Sequence, residues 1–288
     1  MSYRLPADVD ERPVAIDGAG TLGRRIASVY SAGGSDVRIF DVSADQREAA
    51  REYAGRRADE VKHRLGLDGS RVGKVELTGD LEAAVRGAWM VIEAVPEKLE
   101  LKREVFGELD RLADADAIVA SNSSSLPTSH LIDNVRHPQR VLNTHYQQPP
   151  ELNAVELMSC GKTDAGIIDA LMDKLPHYGL VPFHVRRESD GFIFNRIWAA
   201  IKRECLMVVQ EGVAAPEDVD GMWNTWVGAG APFQLMDRVG LDVVLDIEEH
   251  YASVRQGIPD GPRKLLRQYI EDGRLGVKSG RGFYDHSS

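Results

Sequence analysis

The chain has 288 residues, 43% hydrophobic and 28% charged, the composition of a folded globular protein long enough for two domains. No run of about 18 apolar residues is present, which excludes a transmembrane helix, and the start from Met1 to Arg12 lacks the apolar stretch of a secretory signal. Two cysteines, Cys160 and Cys205, cannot build a disulfide framework or a cysteine metal site, so no metal and a reducing, cytoplasmic compartment are expected; the net charge of −10 disfavours a nucleic-acid or anionic-membrane surface.

In chain order, short β-branched runs predict strands at 14–16, 37–40, 75–77, 89–92, 118–120, 141–145, 154–157 and 181–185. Helical patterns fall between many of them, at 22–31, 44–65, 99–113 and 164–175. Strand and helix in alternation mean right-handed crossovers and a mainly parallel sheet covered on both faces. After Arg186–Gly191 the strand signals stop, and 192–212, 216–226, 235–255 and 263–272 read as helices punctuated by Gly and Pro. The expected fold is therefore α/β: a doubly wound, Rossmann-type domain over residues 1–188, then an all-α domain over 189–288.

The segment Gly18-Ala-Gly20-Thr21-Leu22-Gly23 follows the first strand and opens the first helix. In that context Gly18 permits the tight turn, Gly20 lets the backbone approach a pyrophosphate, and Gly23 lets helix and strand pack closely. Thr21 and Leu22 complete the loop whose N–H groups would face the phosphates. The second strand ends at Asp41, eighteen residues after Gly23. A carboxylate there can accept both adenosine-ribose hydroxyls and would repel a 2′-phosphate, which points to NAD over NADP. The alternative is a glycine turn in another kind of α/β protein, with Asp41 capping the next helix. Asp17, a charge at the end of the first strand, either caps the turn or faces solvent.

His145 ends one strand and Glu156 lies inside the next, joined by a loop at 147–153 stiffened by Pro149-Pro150. A carboxylate on one imidazole nitrogen fixes the tautomer and raises basicity, leaving the other nitrogen to exchange a proton with substrate. Taken alone, the pair reads first as a structural histidine beside an acid.

The ordered set of motifs resembles the L-3-hydroxyacyl-CoA dehydrogenase family, which includes lambda-crystallin (L-gulonate 3-dehydrogenase), carnitine dehydrogenases and some polyketide ketoreductases. The resemblance runs from about Pro13 to Tyr284. After the glycine loop and Asp41, the segment Ile92–Glu97 with Lys102 is similar to the family's nicotinamide-side segment, implying that Glu97 and Lys102 hold that side of the cofactor. Ser121–Leu126 resembles its Ser/Asn-rich strand end, with Ser124 at the serine that serves substrate and nicotinamide. His145 and Glu156 match its catalytic pair. Gly191–Arg196 resembles the start of its helical domain, with Asn195 at a substrate-site asparagine, and 275–284 resembles its C-terminal signature. Two departures lie beside the reacting carbon: Gln148 stands where an asparagine is usual, and the loop to Glu156 is one residue shorter.

The resemblance implies an NAD-dependent dehydrogenase acting on a 3-hydroxyacyl-CoA or related 3-hydroxy acid, with a homodimer made through the helical half. The alternatives are the same chemistry on a free 3-hydroxy acid, a carnitine-like molecule or a polyketide intermediate, and a non-catalytic NAD-binding scaffold. The segment 44–74, with Arg47, Arg56, Arg57 and Lys62 among its cations, lies where the family's CoA-binding arm sits. Interleaved acids such as Glu48, Glu52 and Glu60 make a solvated helix face the preferred reading there.

Overall fold

The computed structural model describes residues 2–67, 71–228 and 230–287, without the side chains of 55, 56 and 58. The chain divides into two compact units, residues 1–193 and 194–288.

The first unit is built on one eight-stranded sheet. Its strands are β1 (Val14–Asp17), β2 (Val37–Phe40), β3 (Val75–Thr78), β4 (Met90–Glu93), β5 (Ile118–Ser121), β6 (Val141–Gln148), β7 (Leu152–Ser159) and β8 (Val181–Val185). They run in the order β3-β2-β1-β4-β5-β6-β7-β8, all neighbours parallel except the antiparallel pair β6/β7. The order reverses around β1, so the carboxyl ends of β1 and β4 diverge into a crevice where open α/β sheets bind ligands.

The helices of this unit are α1 (Thr21–Ala32), α2 (Ala44–Arg64), α3 (Leu81–Val85), α4 (Leu99–Leu112) and α5 (Ala165–Lys174). Strand alternation divides the apolar residues between two layers. Val14, Ile16, Ile39 and Tyr146 pack with Ile26 and Tyr30 of α1, whereas Ala15, Val91 and Val119 pack with Phe106 and Leu109 of α4. A mainly parallel sheet buried on both faces is the expected architecture, and the helix α3 is an addition too short for periodicity to reveal.

The second unit holds α6 (Phe194–Gln210), α7 (Pro216–Val227), α8 (Pro232–Val239), α9 (Leu241–Val254) and α10 (Gly261–Glu271). The single helix expected over 235–255 is in fact two, because Gly240 sits at φ +104° and breaks the ladder between α8 and α9. Leu206, Phe233, Met236, Leu241, Leu266 and Phe283 form its core. Two buried acids staple it. Asp237, fully buried, accepts from the N–H groups of Phe283 and Tyr284 and from His286, while Asp220 accepts from the N–H of Phe233 and the hydroxyl of Tyr284. No described helix is long and apolar enough to cross a membrane.

Candidate active site

The glycine loop is shaped by contacts only glycine permits. Gly18 lies at φ +115°, and a Cβ there would stand 2.6 Å from the carbonyl oxygen of Ala94; one on Gly23 would stand 1.9 Å from that of Gly18. A Cβ on Gly20, by contrast, would meet nothing within 4 Å. The backbone ahead of α1 therefore opens onto free space, and no side chain caps the helix N-terminus. Open N–H groups with a favourable dipole suit a pyrophosphate. Asp41 stands across the loop. Its Oδ2 accepts from the Ala19 N–H at 2.8 Å and its Oδ1 from that of Ser43 at 2.8 Å. Each oxygen keeps a lone pair for a ribose hydroxyl, so the carboxylate both fixes the loop and remains able to bind. A cleft of about 1100 Å³ runs past Gly18, Gly20, Thr21, Asp41 and Ala94. These residues fit NAD. Asp17 also lines this cleft, but it is 3% exposed and neither caps the turn nor faces solvent, which corrects both sequence expectations.

The ends of β4 and β5 carry a polar cluster. Lys102 is buried and places Nζ 2.5 Å from Glu93, 3.2 Å from Glu97 and 3.2 Å from the carbonyl of Val95. Its three donors are thus committed inside the protein. Glu97 in turn accepts from the hydroxyls of Ser123 and Ser125 and from the Ser125 N–H. Burial pushes the Glu97 carboxyl up, but Lys102 and the two serines outweigh it and hold it below the usual range. Lys102 therefore acts as the buried support of Glu97, and Glu97 shapes the serine loop. Ser124 is exposed at the crest of that loop with no hydrogen bond of its own among the described residues.

The pair expected from the sequence is brought together by strand register. His145 on β6 lies directly opposite Glu156 on β7, and the facing positions of an antiparallel pair put Cβ atoms about 4.5–5.5 Å apart. Nδ1 of His145 lies 2.8 Å from Oε2 of Glu156, with both residues buried. A carboxylate only accepts, so Nδ1 carries the hydrogen and Nε2 is the nitrogen left for proton exchange. The connection is tighter than the expected 147–153 loop: β6 continues to Gln148 and β7 begins at Leu152, leaving only Pro149, Pro150 and Glu151 as a turn. The ladder shifts register between Tyr146 and Gln148, a bulge next to the pair.

Two further residues serve Glu156, and a third packs on His145. Gln147 donates to the same Oε2 at 3.2 Å, and the Ile193 N–H donates to Oε1 at 2.8 Å. Phe192, buried at φ +55°, lays its ring 4.9 Å from that of His145. Gln147 falls in the loop expected over 147–153 and was not singled out; its alternation with His145 along the longer β6 is the signal that could have found it, whereas the Ile193 amide and the Phe192 conformation carry none. Asn195 stands half-buried on the first turn of α6, in the helical unit. In the arm, Arg57 is engaged by Glu60 at 2.7 Å and Glu151 at 3.2 Å, and Arg25 also pairs with Glu151. The side chain of Arg56 and residues 68–70 lie outside the described residues.

Comparison with known proteins agrees with this geometry. The NAD-binding domain of 3-hydroxyacyl-CoA dehydrogenase matches residues 13–189, and the C-terminal domain of the same family matches 191–286. The chain is 33% identical over 287 residues to a probable 3-hydroxybutyryl-CoA dehydrogenase of Bacillus subtilis, covering 96% of this chain and 97% of that one. It is 31% identical over 280 residues to 5-formyl-3-hydroxy-2-methylpyridine 4-carboxylate 5-dehydrogenase of Mesorhizobium japonicum, covering 95% and 90%. The crystal structure of (S)-3-hydroxybutyryl-CoA dehydrogenase from Ralstonia eutropha superposes with a TM-score of 0.83 at 27% identity, covering 96% and 99%. An enzyme replaces the non-catalytic scaffold as the reading of this chain. With a glycine loop open to a pyrophosphate, an acid across it, and both domain models matched in order, the chain belongs to the 3-hydroxyacyl-CoA dehydrogenase family and is an NAD-dependent dehydrogenase.

Proposed function

We propose that the protein interconverts a 3-hydroxyacyl compound and its 3-keto form, with His145 as acid and base and Glu156 as its partner. The observation that carries this reading is the 2.8 Å contact of Nδ1 with Oε2, which leaves Nε2 of His145 unpartnered among the described residues. NAD supplies the hydride acceptor in oxidation and its reduced form the donor in the reverse direction. In oxidation Nε2 takes the proton of the secondary hydroxyl, and in reduction the imidazolium returns it to the ketone oxygen. Glu156 stabilises the imidazolium, and its two other donors hold it in place. Ser124 offers a free hydroxyl to a substrate oxygen, and Asn195 has the corresponding role by family resemblance. Asp41, Gly18, Gly20, Thr21, Leu22 and Gly23 bind the cofactor, with Glu97 and its support Lys102 on the nicotinamide side.

A 3-hydroxyacyl-CoA is the favoured substrate, in keeping with the name of the Bacillus subtilis relative. A free 3-hydroxy acid is the second reading, supported by the engagement of Arg57 with Glu60 and Glu151, which leaves one cation fewer in the arm for a CoA phosphate. The exposed apolar side chains Met222, Trp226 and Val227 around a groove on the helical unit support a homodimer, and the unpaired, buried Cys160 and Cys205 suit a reducing cytoplasm. NADH formation with 3-hydroxybutyryl-CoA against free 3-hydroxybutyrate, gulonate and carnitine tests the substrate. Turnover of the thioester alone supports the first reading; turnover of a free acid alone overturns it.

A further inference from the structure

Asp17 ends β1 immediately before the glycine loop. Val14 and Ile16 point to the α1 side of the sheet, so Asp17 shares with Ala15 the side covered by α4. Its carboxyl accepts no hydrogen bond among the described residues, and Oδ2 is buried without any partner. The same residue lines the cofactor cleft beside Gly18 and Ala94. This is a polar group in want of a proton or a ligand, since an ionised carboxylate buried with no donor is costly.

The charges around it are mostly of its own sign. Glu93 faces it from β4, Asp41 from the segment after β2, and Glu108 from α4. Asp80 and Glu82, at the start of α3, line the same cleft, as does Arg111 of α4. Lys102 of α4 is the near cation, and it is committed to Glu93 and Glu97. Burial first, then Glu93 and Asp41, push the Asp17 carboxyl up to about 7. A dinucleotide adds the negative charge of its pyrophosphate and displaces water, and both changes disfavour the carboxylate further.

We propose that Asp17 is a determinant of cofactor affinity: the cleft takes NAD with Asp17 as the neutral carboxylic acid, so that binding at neutral and higher pH draws up to one proton from solution onto this carboxyl. The ionised form is the weak-binding one. Asp17 is thereby distinct from Asp41, whose carboxyl group accepts from two backbone N–H groups.

Isothermal titration of NAD into the full chain, in buffers of different ionisation heat, tests this without turnover. For the wild type the Kd is expected to rise about tenfold from pH 6 to pH 8, with uptake of about half a proton at pH 7 and nearly a whole one at pH 8. Asp17→Asn and Asp17→Leu should bind with a flat pH profile and no such uptake. At pH 8 both should bind about tenfold more tightly than the wild type. A wild type that takes up no proton overturns the proposal, as does an Asp17→Asn protein that keeps the wild-type pH dependence.

Discussion

Glu156, inside β7, and Asp17, the last residue of β1, are both buried carboxyl groups of one sheet, yet their surroundings are opposite. Glu156 receives hydrogen bonds from His145, Gln147 and the Ile193 backbone. Asp17 receives none, and its near neighbours Glu93, Asp41 and Glu108 share its sign. Burial alone thus does not decide ionisation; the supply of donors does. At β6/β7 three donors converge on a carboxyl group beside an imidazole. At β1 the same functional group is pushed toward its neutral form where the ligand is itself anionic.

The contrast breaks most sharply at Glu156. Glu156→Gln removes the charge that stabilises the imidazolium, and a kcat loss of roughly 10²–10⁴ is expected in steady-state assays, with NAD affinity nearly unchanged. His145→Ala should lose at least as much, and the double variant little more, since the two side chains act as one unit. Wild-type turnover in the Glu156→Gln protein would remove the dyad from the mechanism. The next effect is on stability. Because folding raises the Asp17 carboxyl from the usual carboxylate range to about 7, the folded state is penalised progressively as pH rises between those limits, and the full penalty stands above 7. Asp17→Asn should therefore match the wild type near pH 4 and exceed it at pH 8, by at most about 4 kcal/mol, in denaturant titrations. Equal stability at both pH values would mean that Asp17 is solvated.

Two smaller effects sharpen the same comparison. Asp41→Ala should weaken NAD by about 10–100-fold and narrow its advantage over NADP, read as Kd for each cofactor. Comparable affinities for the two in the wild type would sink the assignment of Asp41 to the ribose. Gln147→Leu removes one donor from Oε2, so the carboxylate is held less firmly against the imidazole. A fall in kcat of about three- to tenfold is expected, with little change in NAD affinity. An unchanged kcat would make Gln147 merely a space-filling neighbour.

The fold was legible where local signals agree with the tertiary outcome. Val14–Ile16, the glycines and Asp41 lie in consecutive elements, so one short stretch of sequence carries the whole cofactor loop. His145 and Glu156 could be placed on adjoining strands from their β-branched runs, but their reading as a pair came from the family resemblance. What sequence could not carry is the third dimension of polar groups. Nothing local says that Lys102 spends its donors on Glu93, Glu97 and Val95, or that Glu97 turns toward the serine loop. The helix over 235–255 was misread because an apolar period continues through Gly240, while the break depends on one positive φ. Asp17 was misread because polarity implies solvent unless the surrounding layers are known.

The β6/β7 hairpin also limits how this site can change by insertion or deletion. His145 faces Glu156, while its neighbour Tyr146 is buried on the opposite face with its hydroxyl 2.6 Å from that of Tyr30 on α1. One residue gained or lost within β6 would exchange these two faces, putting a phenol where the imidazole belongs and an imidazole into an apolar layer. Length variation is therefore confined to the three-residue turn Pro149–Glu151, beyond the paired positions. A turn of another length would leave His145 opposite Glu156.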